Sequence, residues 1–106
     1  MTDLEYVASH LSEEELLCQI AEEASELAQA ALKLRRAITQ NNPTPKAPED
    51  ALNDLWEEYE DLLNALNAYV IKTGNEADEA QSVSYSKLHR WAERIKEKEN
   101  ENHEKN

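Results

Sequence analysis

Apolar residues recur along this chain at intervals of three and four. One series runs Leu16, Ile20, Ala24, Leu27, Ala31, Leu34 and Ile38; a second runs Ala51, Leu55, Tyr59, Leu62, Leu66 and Tyr69. That period puts each series on a single stripe of an α-helix, with polar residues on the other faces. The punctuation agrees. Ser12 followed by Glu15 has the capping-box pattern, so a long helix is expected from near Glu13 to about Thr39. Asn41 to Pro48 carries Pro43, Pro45 and Pro48 and reads as a loop, because proline cannot continue a helix. A second long helix starts at Glu49 or Asp50 and reaches about Lys72, where Gly74 suits the left-handed position that closes a helix. A short helix is expected over Leu4 to Ala8. After Gly74, helical character resumes by Glu76, weakens at Ser82-Val83-Ser84 and returns from Tyr85 to about Lys98. The polar end, Glu97 to Asn106, has no apolar stripe and is expected to fray.

Both stripes are wider than one packing partner requires. Leu17, Ala28, Ala31 and Leu32 broaden the first, and Trp56, Leu63 and Val70 the second. A chain of 106 residues is long enough for one domain and short for two. It therefore reads as one helical domain over 1–98 with a tail over 99–106. A domain this small buries a modest share of its surface, so the surplus apolar area predicts association with further copies. The expected fold is all-α: two long antiparallel helices plus a C-terminal helix, with the bundle completed by a homo-oligomer, dimer or tetramer.

Composition narrows the chemistry. The chain has one glycine and no phenylalanine, and 23 acidic residues against 11 basic ones give a formal charge of −12. Such a charge argues against nucleic-acid partners and against an anionic membrane surface. No apolar run approaches a membrane span, and the N-terminus lacks a signal-peptide pattern. A single cysteine, Cys18, rules out an internal disulfide framework and points to a cytoplasmic setting; no base stands beside it to make it a nucleophile. One glycine cannot build a phosphate-binding loop, and no Cys/His set has zinc spacing. His10, His89 and His103 are scattered, and His10 reads as a loop residue.

The acids, in contrast, are patterned. Ile20-Ala21-Glu22-Glu23-Ala24-Ser25-Glu26-Leu27 and Leu55-Trp56-Glu57-Glu58-Tyr59-Glu60-Asp61-Leu62 share one template. At 100° per residue, Glu23 and Glu58 lie about 60° to one side of their stripes, and Glu26 and Asp61 about 120° to the same side. Glu22 and Glu57 point further out. Two such helices packed together bring four carboxylates to one place. At ~5 Å and an effective dielectric of ~20, each like-charged pair costs on the order of 3 kcal/mol. No Lys or Arg lies within four residues of Glu58 or Asp61. A hard divalent cation is one solution; a charged shoulder open to water is the other.

At Glu22-Glu23-x-x-Glu26 and Glu57-Glu58-x-x-Asp61 the chain resembles the MazG-like, all-α nucleoside triphosphate pyrophosphatases. Leu17-Cys18-Gln19-Ile20 before the first motif and Leu27-Ala28-Gln29-Ala30-Ala31-Leu32-Lys33 after it are also similar to that family. So is the basic segment Lys87-Leu88-His89-Arg90-Trp91-Ala92-Glu93-Arg94. The spacer of 31 residues between Glu26 and Glu58 is longer than is common there, and Glu60 replaces a small or apolar residue. The resemblance implies Mg²⁺-dependent (or Mn²⁺-dependent) hydrolysis of a nucleoside triphosphate to the monophosphate and pyrophosphate. Glu23, Glu26, Glu58 and Asp61 would then be the metal ligands, with Glu23 or Glu26 also taking the proton of the attacking water. Gln19 is expected to bond a ligand carboxylate or the substrate. Lys87, Arg90 and Arg94 are candidates to hold phosphates, or else form a solvated face. Two alternatives stand beside this reading: a non-catalytic helical interaction module, and a phosphoribosyl-ATP pyrophosphohydrolase.

Overall fold

A computed structural model describes residues 1–42, 44–75 and 80–105, and the described residues form helices without strands. Four helices follow in order: α1 Asp3–His10, α2 Glu13–Thr39, α3 Pro48–Thr73 and α4 Ala80–Lys105. Its contacts group into two compact units, Met1–Asn75 and Glu76–Asn106.

The caps set the helix boundaries. The Glu15 backbone N–H donates to Ser12 Oγ at 3.1 Å and opens α2. Thr2 does the same for α1 through the Glu5 N–H. Pro48 sits in the first turn of α3, where its missing N–H costs no bond. Gly74, at φ 71°, closes α3 by donating its N–H to the Val70 carbonyl at 2.7 Å. Gln40 takes the left-handed position after α2, at φ 58°, and its side chain donates to the Ala37 carbonyl. Pro43 lies outside the described residues.

α3 packs on α2, and α1 packs on α3. Tyr69, near the end of α3, donates its hydroxyl to Glu13 at the start of α2, so α3 returns along α2. The seam between them differs from the predicted stripe. On α2 the shielded positions include Leu16, Ile20, Glu23, Leu27, Ala30, Leu34 and Ala37, with Gln19 and Arg36 half-buried beside them, while Ala24, Ala31 and Ile38 are exposed. On α3 the series Ala51, Leu55, Glu58, Leu62, Ala65 and Tyr69 is shielded, as are Ala68 and, in part, Asp54, Leu63, Val70 and Thr73, with Tyr59 and Leu66 exposed. Both series alternate steps of four and three. The reason is geometric: a helix of 3.6 residues per turn drifts off a long straight partner, whereas a 3.5-residue average stays on the seam. Alanines at 30, 37, 51 and 65 also let the backbones approach. The consequence matters for the acids. Glu23 and Glu58, predicted about 60° off the stripe, occupy seam positions between apolar neighbours.

α1 starts one residue before the predicted Leu4–Ala8 segment, extends two beyond it and ends at His10. His10, predicted in a loop, lies in its last turn and stacks on Tyr6 at 3.9 Å between ring centroids. α4 passes through Ser82-Val83-Ser84 without a break and continues past Lys98 to Lys105, where weakening and fraying were predicted. Glu, Lys and Ala are strong helix formers, and Ser86 Oγ donates to the Ser82 carbonyl. The predicted resumption at Glu76 falls on residues outside the described ones. No helix among the described residues is long and apolar enough to cross a membrane.

Candidate metal centre

Glu23 projects from the middle of α2 into the α2–α3 seam, and Glu58 meets it from α3. Glu26, one turn further along α2, completes a triple. Each of the three offers one carboxylate oxygen, and these oxygens all lie within 4.8 Å of one another. Gln19, one turn before Glu23, donates its side-chain amide to Glu23 Oε1 at 2.7 Å. The other oxygens are unmatched: Glu23 Oε2 and Glu58 Oε2 are shielded from solvent and have no hydrogen-bond partner. Buried polar atoms are ordinarily satisfied, and an unmatched carboxylate oxygen is costlier than a neutral one.

The Glu23 carboxyl is held above its ordinary pKa. Desolvation is the largest cause; the Gln19 hydrogen bond opposes it, and the charges of Glu26 and Asp61 add to it. Asp61 stands outside the close triple. It is exposed, and it borders an open pocket of about 770 Å³ together with Gln19, Glu23, Asn64 and the residues of α1 around Leu4. Glu22 and Glu57 are exposed as predicted.

A smaller cavity of about 110 Å³ also touches the triple, bordered by Glu26, Lys33, Asp54 and Glu58 among others. Lys33 and Asp54 were not singled out from the sequence. Lys33 stands seven residues after Glu26, and Asp54 four before Glu58, so each shares a helix face with its neighbour. A search along the chain around Glu58 misses Lys33 because it comes from the opposite helix. Asp54 already has a partner in Lys46, with which it forms an ion pair; that pairing raises the Lys46 pKa.

The structure thus gathers Gln19, Glu23, Glu26, Glu58 and, one step away, Asp61 within the first unit. Lys87, Arg90 and Arg94 belong to the second unit, where they share one exposed face of α4 with Glu93 and Glu97. No protein-family model, curated protein or solved structure matches this chain.

The residues fit a hard divalent cation on two counts. The triple is all-oxygen and anionic, the donor type that Mg²⁺ and Mn²⁺ prefer. Two of its oxygens are turned away from water without a proton donor, which is the arrangement a cation would satisfy.

Proposed function

We propose that the chain is a divalent-metal-dependent nucleoside triphosphate pyrophosphohydrolase. The observation that carries this reading is the triple of Glu23, Glu26 and Glu58, converging from two helices with two unpartnered oxygens. The likeness of both acidic motifs to the MazG-like pyrophosphatases supports the choice of reaction. Glu23, Glu26 and Glu58 would hold Mg²⁺ or Mn²⁺, and Asp61 would reach it from the edge of the pocket. A cation held there would supply Lewis acidity, offsetting phosphate charge and easing loss of a proton from water.

The chain's own residues then divide the work. Gln19 fixes the Glu23 carboxylate through its amide hydrogen bond. Glu23 and Glu26 are the candidates to accept the proton of the attacking water, and the raised Glu23 pKa suits a base closer to neutral pH than an ordinary carboxylate. The open pocket beside Gln19 and Asp61 has the size of a small-molecule site. Lys33 is a cation at the rim of the carboxylate set and a candidate to hold phosphate there.

The test is a panel of ribo- and deoxynucleoside triphosphates and phosphoribosyl-ATP, with Mg²⁺, monitored for pyrophosphate. Mg²⁺-dependent release from at least one, lost in Glu58→Gln, is the expected result. No release from any member, with the protein folded, would overturn the enzymatic reading and leave a helical interaction module.

A further inference from the structure

Two hollows of different character border the carboxylate triple. Glu23 lines the open pocket of about 770 Å³, and Glu26 and Glu58 line the small cavity that Lys33 also borders. Among the described residues, no Lys, Arg or His borders the pocket, and its charged residues are Asp3, Glu23 and Asp61. A triphosphate chain is repelled by such a lining and belongs at the triple, beside Lys33. The part of a nucleotide that matches the pocket is the uncharged one, the base. The shape agrees. Leu4 and Val7 of α1 form one aliphatic wall, and Ala65 and Ala68 of α3 another. The small side chains on α3 leave space for a flat ring, and the volume lies in the ~300–1,000 Å³ range of small-molecule sites.

The hydrogen-bonding groups of the pocket are unequal in kind. Its donors are largely spent within the protein. The Thr2 hydroxyl donates to Glu5 Oε1 at 3.2 Å, and the Gln19 amide donates to Glu23 Oε1 at 2.7 Å. Its acceptors are open. Asp3 and Asn64 are exposed, and neither side chain has a hydrogen bond or ion pair to the described residues. Asp61 is also exposed, but it is shared with the metal reading. An ionised carboxylate can only accept, so Asp3 requires a donor from whatever fills the pocket. Asn64 offers one acceptor and one donor group side by side.

We propose that this pocket takes a nucleobase carrying an exocyclic amino group beside an accepting ring nitrogen, adenine or cytosine, and disfavours the keto bases hypoxanthine and uracil. Asp3 and Asn64 are the residues that read it. This assignment rests on the nucleotide reading of the triple and adds the class of base. The amino bases present a donor at the exocyclic position, where the keto bases present a carbonyl oxygen. Asp3 bonds the first and repels the second. An amide can meet an amino group and a ring nitrogen together, and by turning over it can meet a carbonyl and a ring N–H as well. Asn64 therefore contributes to binding of either class, and the choice between them falls on Asp3. Neither residue belongs to the carboxylate triple.

Pyrophosphate release by the full chain with Mg²⁺ compares CTP with UTP, and ATP with inosine triphosphate. Each pair keeps the ring size and differs at the edge in question. The amino member of each pair should have the higher kcat/KM by roughly 10- to 100-fold, the worth of one hydrogen bond to a charged acceptor, and mainly through KM. Asp3→Asn should bring both ratios towards unity. Asn64→Ala should raise KM for all four nucleotides and keep the ratios. Both positions are exposed, and far-UV circular dichroism should stay helical in both variants. Calorimetric titration with cytidine and uridine monophosphates reads the pocket without turnover. Release of pyrophosphate with no amino preference in either pair would overturn the base assignment and leave the catalytic reading standing. Tighter binding of cytidine monophosphate, lost in Asp3→Asn, with no release from any triphosphate would overturn the catalytic reading and support the base assignment. A preference that Asp3→Asn leaves intact would overturn the assignment of Asp3.

Discussion

Glu23 sits between opposing demands. Burial in the seam disfavours its charge, and a cation requires that charge. Its folded pKa is raised above the unfolded value, so the sign follows directly. Ionising Glu23 destabilises the metal-free fold at pH above the raised value, and the penalty is absent below the unfolded value of about 4.5. Without metal, this group therefore makes the protein more stable as pH falls towards that value. Glu23→Gln should raise the neutral-pH Tm in the presence of chelator and remove this part of the pH dependence, as thermal melts across pH would show. With Mg²⁺ present the order reverses. Only the ionised carboxylate binds, so affinity should weaken as pH falls through the raised value, and Glu23→Gln should bind worst. Gln19→Leu removes the bond that orients Glu23 and leaves the ligands in place. Loss of such an orienting bond typically costs about 10-fold or more in affinity, measurable by calorimetric titration against wild type.

The helices themselves were readable because their ends are chemical. Ser12 and Gly74 marked α2 and α3 within a residue or two, and the structure shows the bonds responsible. Replacing Ser12 by Ala should cost about 1 kcal/mol. Gly74→Ala should cost about 1–2 kcal/mol through its left-handed backbone alone, since nothing within 4 Å would meet the new methyl. Both are accessible by urea denaturation. Facing was harder to read than extent. The residues Ala24, Tyr59 and Leu66 fit a helical stripe as well as Glu23, Glu58 and Ala65 do, and they are more apolar. A stripe drawn by hydrophobicity therefore followed the outer series. Which series is buried depends on the partner's backbone and on how closely two alanine-lined helices approach, neither of which is local. The acid pairing was legible because Glu23 and Glu58 hold the same place in two like motifs, each three residues before a second acid and four before a leucine. Lys33 was not, because its place beside Glu58 exists only once α3 folds back.

At the scale of the whole molecule, charge and metal act together and must be separated. The formal charge of −12 means that any salt relieves self-repulsion and stabilises the fold. A specific site adds to this by mass action: at 100 times its dissociation constant, a cation that binds only the native state contributes about 2.7 kcal/mol. For a domain of 60–100 residues each kcal/mol shifts Tm by roughly 4–8 °C, well within calorimetric precision. Mg²⁺ and Na⁺ compared at matched ionic strength should therefore differ, with Mg²⁺ giving the larger rise in Tm. Glu58→Gln should keep the screening component that Na⁺ supplies and lose the excess, because it removes one member of the triple and only one of 23 acidic charges. Glu14→Gln, an exposed acid at the start of α2, serves as the charge-matched control and should retain the excess. Equal responses to the two salts in wild type would mean that the carboxylates act as diffuse charge, and the seam acids would then be a built-in instability without a ligand to relieve it.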